Sequence, residues 1–349
     1  LDARLLMIGT HPLAEESALT LENMTGHHRY RALNEQVMRV RRGNPLALSI
    51  EGFEGLHIDH RDLTFESAAT SFQIHLQVPP ARAARCFNAA LVLSGPMVAA
   101  AANSPYLFGK DLWDETRIPL FEQSVNLRPE RVTFGKGYVE TSLFEIFEEN
   151  LRDHPVLLPE IMEDNVETMH HLRLHNGTIW RWNRPLIGFG GDGSPHLRIE
   201  HRTVPAGPTA ADCIANTALC AGMMIDLALG ERPPELFLSF DTVRENFYRA
   251  ARSGLQAKMK WAGGKVHTAR DLLLEELVPR ARSGLEGLGV TTKDIGTYLG
   301  IIEERVGSGQ NGAAWQRKRF RRIGGDFGML VADYYSNQER DAPVHTWEI

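Results

Sequence analysis

Cysteine is scarce in this chain: Cys86, Cys213 and Cys220 are the only three in 349 residues. Their number is odd and no two are spaced CxxC, which argues against a disulfide framework and a thiolate zinc site. Free thiols in a reducing cytoplasm are expected. An excess of positive charge is lacking too. Lys+Arg number 38 against 44 Asp+Glu, a net charge of −6, so neither nucleic acid nor an anionic membrane is expected as a partner. The opening LDARLLMIG lacks the basic, apolar and small-residue order of a signal peptide, and Leu1 is not an initiator, so the chain is expected to begin inside a longer protein. Long apolar runs are nearly absent. One charge-free stretch runs 24 residues, from Cys86 to Gly109, long enough to span a bilayer. Asn88, Ser94-Gly95-Pro96 and Asn103-Ser104-Pro105 interrupt it, and a buried core helix over 86–103 is the expectation. Internal repeats, low-complexity tracts and Pro/Ser-rich linkers are also missing, which favours one domain over 1–349.

What is present describes a folded globular chain, with 43% apolar and 23% charged residues. Periodicity predicts helices at 27–42, 81–103, 141–151, 209–230, 241–253, 268–284, 291–306 and 311–322. Strands are expected at 3–9, 69–78, 168–175, 178–184 and 196–204, with Asn176-Gly177 as a hairpin turn. Strands and helices do not alternate regularly, which points to an antiparallel α+β sheet rather than a doubly wound one.

Three of these strands carry unusual faces. In SFQIHLQV, Ser71, Gln73, His75 and Gln77 lie opposite Phe72, Ile74, Leu76 and Val78. In HLRIEHR, His196, Arg198, Glu200 and Arg202 lie opposite Leu197 and Ile199, and GTIWRWNRP puts Trp180, Trp182 and Arg184 on one face. Solvation is the ordinary reading of any single polar strand face. Arg, His and Glu converging from three strands instead suit a site for metal and phosphate.

Other signals are weaker. Gly188, Gly190 and Gly193 spell GxGxxG, but Pro195 and a strand follow where a dinucleotide site needs a helix, so a glycine-rich loop is expected. HIDH at 57–60 lacks a helical HExxH frame and a third ligand, and reads as a loop or strand-edge histidine cluster. The run from Arg317 to Arg322 has five cations in six positions. It reads either as a solvated helix face or as a source of an arginine that reaches phosphate.

Seven segments occur in a telling order: IGTHP at 8–12 followed by Arg29-Tyr30, FQIHLQV at 72–78, NSPYLFG at 103–109, RP at 184–185, IEHRTVPAGPT at 199–209, ENFYRAARSGLQA at 245–257 and GSGQNGAAWQR at 307–317. Together they resemble the type 2 glutamate-cysteine ligases, carboxylate-amine ligases of the glutamine synthetase superfamily, and the similarity spans nearly the whole chain. The resemblance implies an α+β fold in which helices pack on the convex side of a curved, mainly antiparallel sheet, with a helical C-terminal part at about 209–349. It implies ATP-dependent joining of a carboxylate to an amine through an acyl phosphate, with glutamate and cysteine the leading pair, and with ATP and Mg²⁺ or Mn²⁺ as cofactors. Partners would be small-molecule amino acid and amine substrates, and a homo-oligomer stays open. By the same resemblance His75 and Glu200 are metal ligands. Arg202 and Arg184 act on phosphate or on the substrate carboxylate, Gln73 orients a substrate, and Arg202, Arg317 and Arg252 bind the nucleotide. The family's opening strand of closely spaced glutamates is not matched before IGTHP, since Glu15, Glu16 and Glu22 follow it, so an incomplete metal cluster is expected. Two alternatives remain: a non-catalytic member that binds nucleotide or amino acid, and a phosphotransferase of the same superfamily.

Overall fold

The computed structural model describes residues 3–161, 163 and 165–349. Helix α1 (His28–Val40) leads into a hairpin of β1 (Leu46–Glu51) and β2 (Gly55–His60), followed by β3 (Ile74–Val78) and the long α2 (Ala83–Ala101). The short antiparallel pair β4 (Tyr106–Leu107) and β5 (Lys110–Asp111) precedes α3 (Arg117–Ser124). Next come β6 (Val132–Thr133), α4 (Phe144–Asp153), α5 (His170–Gly177) and β7 (Trp180–Arg181), the last pairing in parallel with β6. Strands β8 (Asn183–Phe189) and β9 (Pro195–His201) lead to α6 (Ala210–Leu229) and α7 (Phe240–Ser253). The remainder comprises the hairpin β10 (Lys258–Lys260) and β11 (Val266–Thr268), then α8 (Ala269–Leu272), α9 (Val278–Gly287), α10 (Thr292–Ser308), α11 (Gly312–Arg322) and α12 (Phe327–Glu339).

The sheet that matters is antiparallel, in the order β3-β9-β8, as the α+β expectation requires. Its register puts His75 opposite Glu200 and Glu200 opposite Arg184, so three polar residues share one row and one face. The next row, Ile74, His201 and Asn183, belongs to the other face, which α2 covers. There Asn183 donates to the Ser94 hydroxyl at 2.8 Å, and the His201 imidazole lies between the side chains of Asn183 and Thr203, 2.7 Å from each. Burial pushes the His201 imidazole down to about 3, which keeps it neutral among these partners.

Helix α2 is buried along nearly its whole length between this sheet, α6 and α7. Its Pro96 sits in the interior of the helix. Two helices, α2 with the turn before it and α6, are long and apolar enough to cross a membrane; 89% and 61% of their most apolar windows lie buried inside the protein. All three cysteines are buried and free.

Helix starts follow the capping rules closely. Thr209, Ser239, Thr291, Asn311 and Asp326 each accept a hydrogen bond from a backbone N–H in the first turn of α6, α7, α10, α11 and α12. Gly309, at φ +65°, ends α10 in the left-handed region where glycine carries no steric penalty.

Four expectations need correction. Residues 3–9 form no strand, because α12 supplies their partners: the Gln338 side chain accepts from Met7 N at 2.7 Å and donates to Leu5 O at 2.9 Å. Residues 168–175 do not form a strand, and α5 occupies 170–177. The Asn-Gly pair ends that helix, since Asn176 is buried and spends its side chain on Asn150 and on the Pro185 carbonyl. The helix expected at 268–284 is broken into α8 and α9 by a wider π turn over Leu273–Leu277, next to Pro279, which has no N–H to continue the ladder. The β1-β2 hairpin, α3 and α12 were not anticipated.

Candidate functional site

The polar face of the β3-β9-β8 sheet gathers its charge around Glu200, which is 3% exposed. Arg184 Nε donates to Glu200 Oε2 at 2.7 Å, while His75 Nε2 stands 3.6 Å from Oε1. Arg202 Nη1 lies 3.9 Å from Oε2. Gln73 Oε1 is 3.3 Å from the same imidazole nitrogen, within hydrogen-bond distance. His75, Glu200, Arg184, Arg202 and Gln73 are thus brought together, as strand alternation suggested.

The electrostatics favour an anion. Burial, and then the neighbouring Arg184, pull Arg202 down to about 10, while Glu200 and Glu66 oppose the shift. It remains charged at neutral pH. His75 is also lowered, first by burial and then by Arg198, Arg184 and Arg202, with Glu200 opposing. Arg202 Nη1 and Arg198 Nε are buried N–H groups without a hydrogen-bond partner. A buried guanidinium with an unspent donor beside two more arginines is suited to a phosphate or carboxylate oxygen.

A divalent cation fits less well. Mg²⁺ requires several hard oxygen donors, and here one imidazole faces one carboxylate that already pairs with Arg184. Among the described residues no group of three His, Cys, Asp or Glu is placed to hold a metal ion. His75 and Glu200 face each other at 3.6 Å, while the hydrogen bond of the imidazole Nε2 goes to Gln73.

The two remaining arginines stand elsewhere. Arg317 Nε donates to Asp111 at 2.7 Å, Nη1 to Asp114, and Nη2 to Leu112 O at 3.1 Å, so each of its three nitrogens is engaged. These contacts tie α11 to the Asp111–Asp114 segment and place Arg317 away from the Glu200 group. Arg252 is exposed and lies over the Trp113 ring, 4.3 Å from its centroid, with no contact to the Glu200 group. HIDH falls on β2, where His57 pairs with Glu51 at 2.9 Å, and where His60 meets Asp62 at 2.9 Å and stacks on Phe65. The glycine run closes the β8-β9 turn through Gly190 N to Ser194 O at 2.8 Å. The His196 ring folds over Gly188, where a Cβ would come within 2.4 Å of it and the ring would have to swing aside.

Several residues at the site escaped the sequence reading. Arg117, 2% exposed, pairs with Glu115 at 3.0 Å and donates to the carbonyls of Arg202 and Thr203. The Phe121 ring lies beneath the Arg202 guanidinium, 5.5 Å away. The Glu66 carboxyl is raised by burial, with Arg202 pulling the other way. None of these three positions shows a helical or strand period that would single it out.

Comparison with known proteins adds three findings. No curated protein matches the chain. Among solved structures, one similar to it is the Pup ligase PafA of the prokaryotic ubiquitin-like modification pathway, in complex with ADP. The identity is 11%, the match covers 86% of this chain and 61% of that one, and the TM-score is 0.38. The profile of glutamate-cysteine ligase family 2 matches residues 1–341. With both the ordered segments and the arginine-lined sheet face in place, the chain belongs to that family of ligases.

Proposed function

We propose that this chain is an ATP-dependent carboxylate-amine ligase, with a glutamate side-chain carboxylate and the amine of cysteine as its leading substrates and an acyl phosphate as the intermediate. Family membership supports the reaction class. The observation that carries the site is the unspent Nη1 of Arg202 beside Arg184, both of them facing the same oxygen of Glu200.

ATP would supply the phosphoryl group that converts the carboxylate to an acyl phosphate, from which the attacking amine displaces inorganic phosphate as the C–N bond forms. Arg202 neutralises charge on the transferring group, and its planar fork suits two oxygens at once. Glu200 holds Arg184 by its short ion pair and faces His75 at 3.6 Å, which keeps the cation and the imidazole oriented without substrate. Gln73 adds a neutral amide for aligning a polar substrate group. Strands β3, β9 and β8 carry His75, Glu200 and Arg184, and Gln73 and Arg202 lie just beyond the ends of β3 and β9, an arrangement that serves a reaction needing oriented groups. A reducing cytoplasm suits an enzyme with three buried free thiols.

One observation favours a second reading. The described residues offer a divalent cation only two donors, one of them ion-paired, which supports a member that binds nucleotide or amino acid without ligating it. ADP release separates the two. Release that requires both glutamate and cysteine supports the ligase, whereas ATP binding without release supports the second reading.

A further inference from the structure

One carboxylate beside the arginine group has no part in the chemistry above, yet it joins three elements. Glu122 of α3 accepts, on the same oxygen, from Trp182 Nε1 at 2.8 Å and from the Tyr248 hydroxyl of α7 at 2.8 Å. Burial pushes its carboxyl up to about 7, with both hydrogen bonds opposing.

What these two bonds fix is the floor under Arg202. Phe121 adjoins Glu122 in α3 and lies beneath the Arg202 guanidinium. Trp182 lies beneath Arg117 at 5.4 Å and meets the Phe121 ring edge-on, centroids 5.7 Å apart. Arg117 in turn donates to the carbonyls of Arg202 and Thr203, and Arg202 N donates to Trp182 O at 3.0 Å. The guanidinium of Arg202 therefore rests on the Phe121 ring, and its backbone is held by the Trp182 carbonyl and the Arg117 side chain, with Glu122 next to Phe121 and bonded to the Trp182 indole. A cation over a ring face is restrained in height but weakly in direction, and the nearest carboxylate oxygen to Nη1 is 3.9 Å away. Arg202 is positioned chiefly by packing.

We propose that Glu122 is a positioning residue for Arg202: by tying the Trp182 indole and α3 to α7, it sets the place of the guanidinium that receives the anion. The proposal rests on the reading of Arg202 as an anion-binding group. It adds a residue that touches neither substrate nor nucleotide. Glutamine at 122 keeps the accepting oxygen, whereas leucine keeps the volume and loses the acceptor.

The test is a double-mutant cycle read as ATP affinity by calorimetry, which does not require turnover, with melting temperature followed in parallel. In the wild-type background, Glu122→Leu should weaken ATP binding about tenfold and Glu122→Gln by less than about twofold. In an Arg202→Lys background, Glu122→Leu should cost less than about twofold more, because its effect runs through a group already displaced. Equal losses in both backgrounds, or no loss in a folded Glu122→Leu, would overturn the role of Glu122 alone. If Arg202→Lys itself binds ATP normally, the anion-site reading falls and takes this role with it. Should Glu122→Leu not fold, Tyr248→Phe and Trp182→Phe remove the two donors singly and take its place in the cycle under the same criteria.

Discussion

His75 and Glu200 face each other across β3 and β9, the imidazole Nε2 3.6 Å from the carboxylate, with Arg184 completing the row at 2.7 Å from the other oxygen. A one-residue slip in either pairing would send one of the three to the face covered by α2. The apolar row of Leu76 and Ile199 on that face resists such a slip.

Glu200→Gln keeps the volume and an acceptor oxygen but removes the charge that balances Arg184. ADP release with glutamate and cysteine should fall by about 10² or more, the scale of losing a preorganised electrostatic group. The melting temperature should drop by only a few degrees, since Gln can still accept from Arg184 Nε. Wild-type turnover in a folded variant would remove Glu200 from the site.

Arg202→Lys should leave the melting temperature near wild type, because Nη1 makes no hydrogen bond that folding depends on. Turnover should fall by about 10²- to 10³-fold, as a single point charge replaces a two-pronged donor. A large loss of stability with normal turnover would instead make Arg202 a structural partner of Glu200 and Glu66.

How much of this could be seen in the sequence depends on the range of the interaction involved. The faces of β3 and β9 were legible because side-chain direction alternates locally, and helix starts were legible because caps lie within four residues of the N–H they satisfy. Pairing was not: nothing near His75 says that Glu200 lies opposite. Asn176-Gly177 carried a sound hairpin signal that lost to two buried hydrogen bonds from distant residues, Asn150 and Pro185. Residues 3–9 have a strand-like pattern, yet Gln338 on α12 provides what a neighbouring strand would have. Arg317 resembled a free cation because Asp111 and Asp114 lie about 200 positions earlier. Glu122 gave no signal, since its two partners come from β8's approach and from α7.

Stability should depend on pH through Glu122. Its carboxyl sits near 7 in the folded protein against an ordinary 4.5, so folding favours the neutral form. The wild type should lose stability from this group as pH rises from about 4.5 to 7, and the loss should persist above that. Glu122→Gln carries no such charge. It should match the wild type near pH 5 and exceed it at pH 8 by about 1–2 kcal/mol, a value reduced from the full linkage because the side chain is only partly buried. Urea midpoints of both proteins at the two pH values measure the difference. An unchanged gap would place the Glu122 ionisation near its ordinary value.

Arg317 offers the clearest separation of structural from functional arginines. It bridges α11 to the segment at Asp111–Asp114, and its ring contact with Phe53 adds the tip of the β1-β2 hairpin. Arg317→Ala would leave two carboxylates facing each other in a low-polarity setting that already raises both by burial. Breaking one side of a buried pair costs about 3–5 kcal/mol, and a value near the lower end is expected because Asp111 keeps some exposure. Chemical denaturation should show that loss at pH 7. The gap should narrow toward pH 4, where the raised carboxyls take up protons and no longer repel. ATP affinity below the denaturation temperature should stay within about twofold of wild type, since Nε, Nη1 and Nη2 are all spent inside the protein. A tenfold loss of ATP affinity with little loss of stability would return Arg317 to the nucleotide site, as the segment GSGQNGAAWQR first suggested.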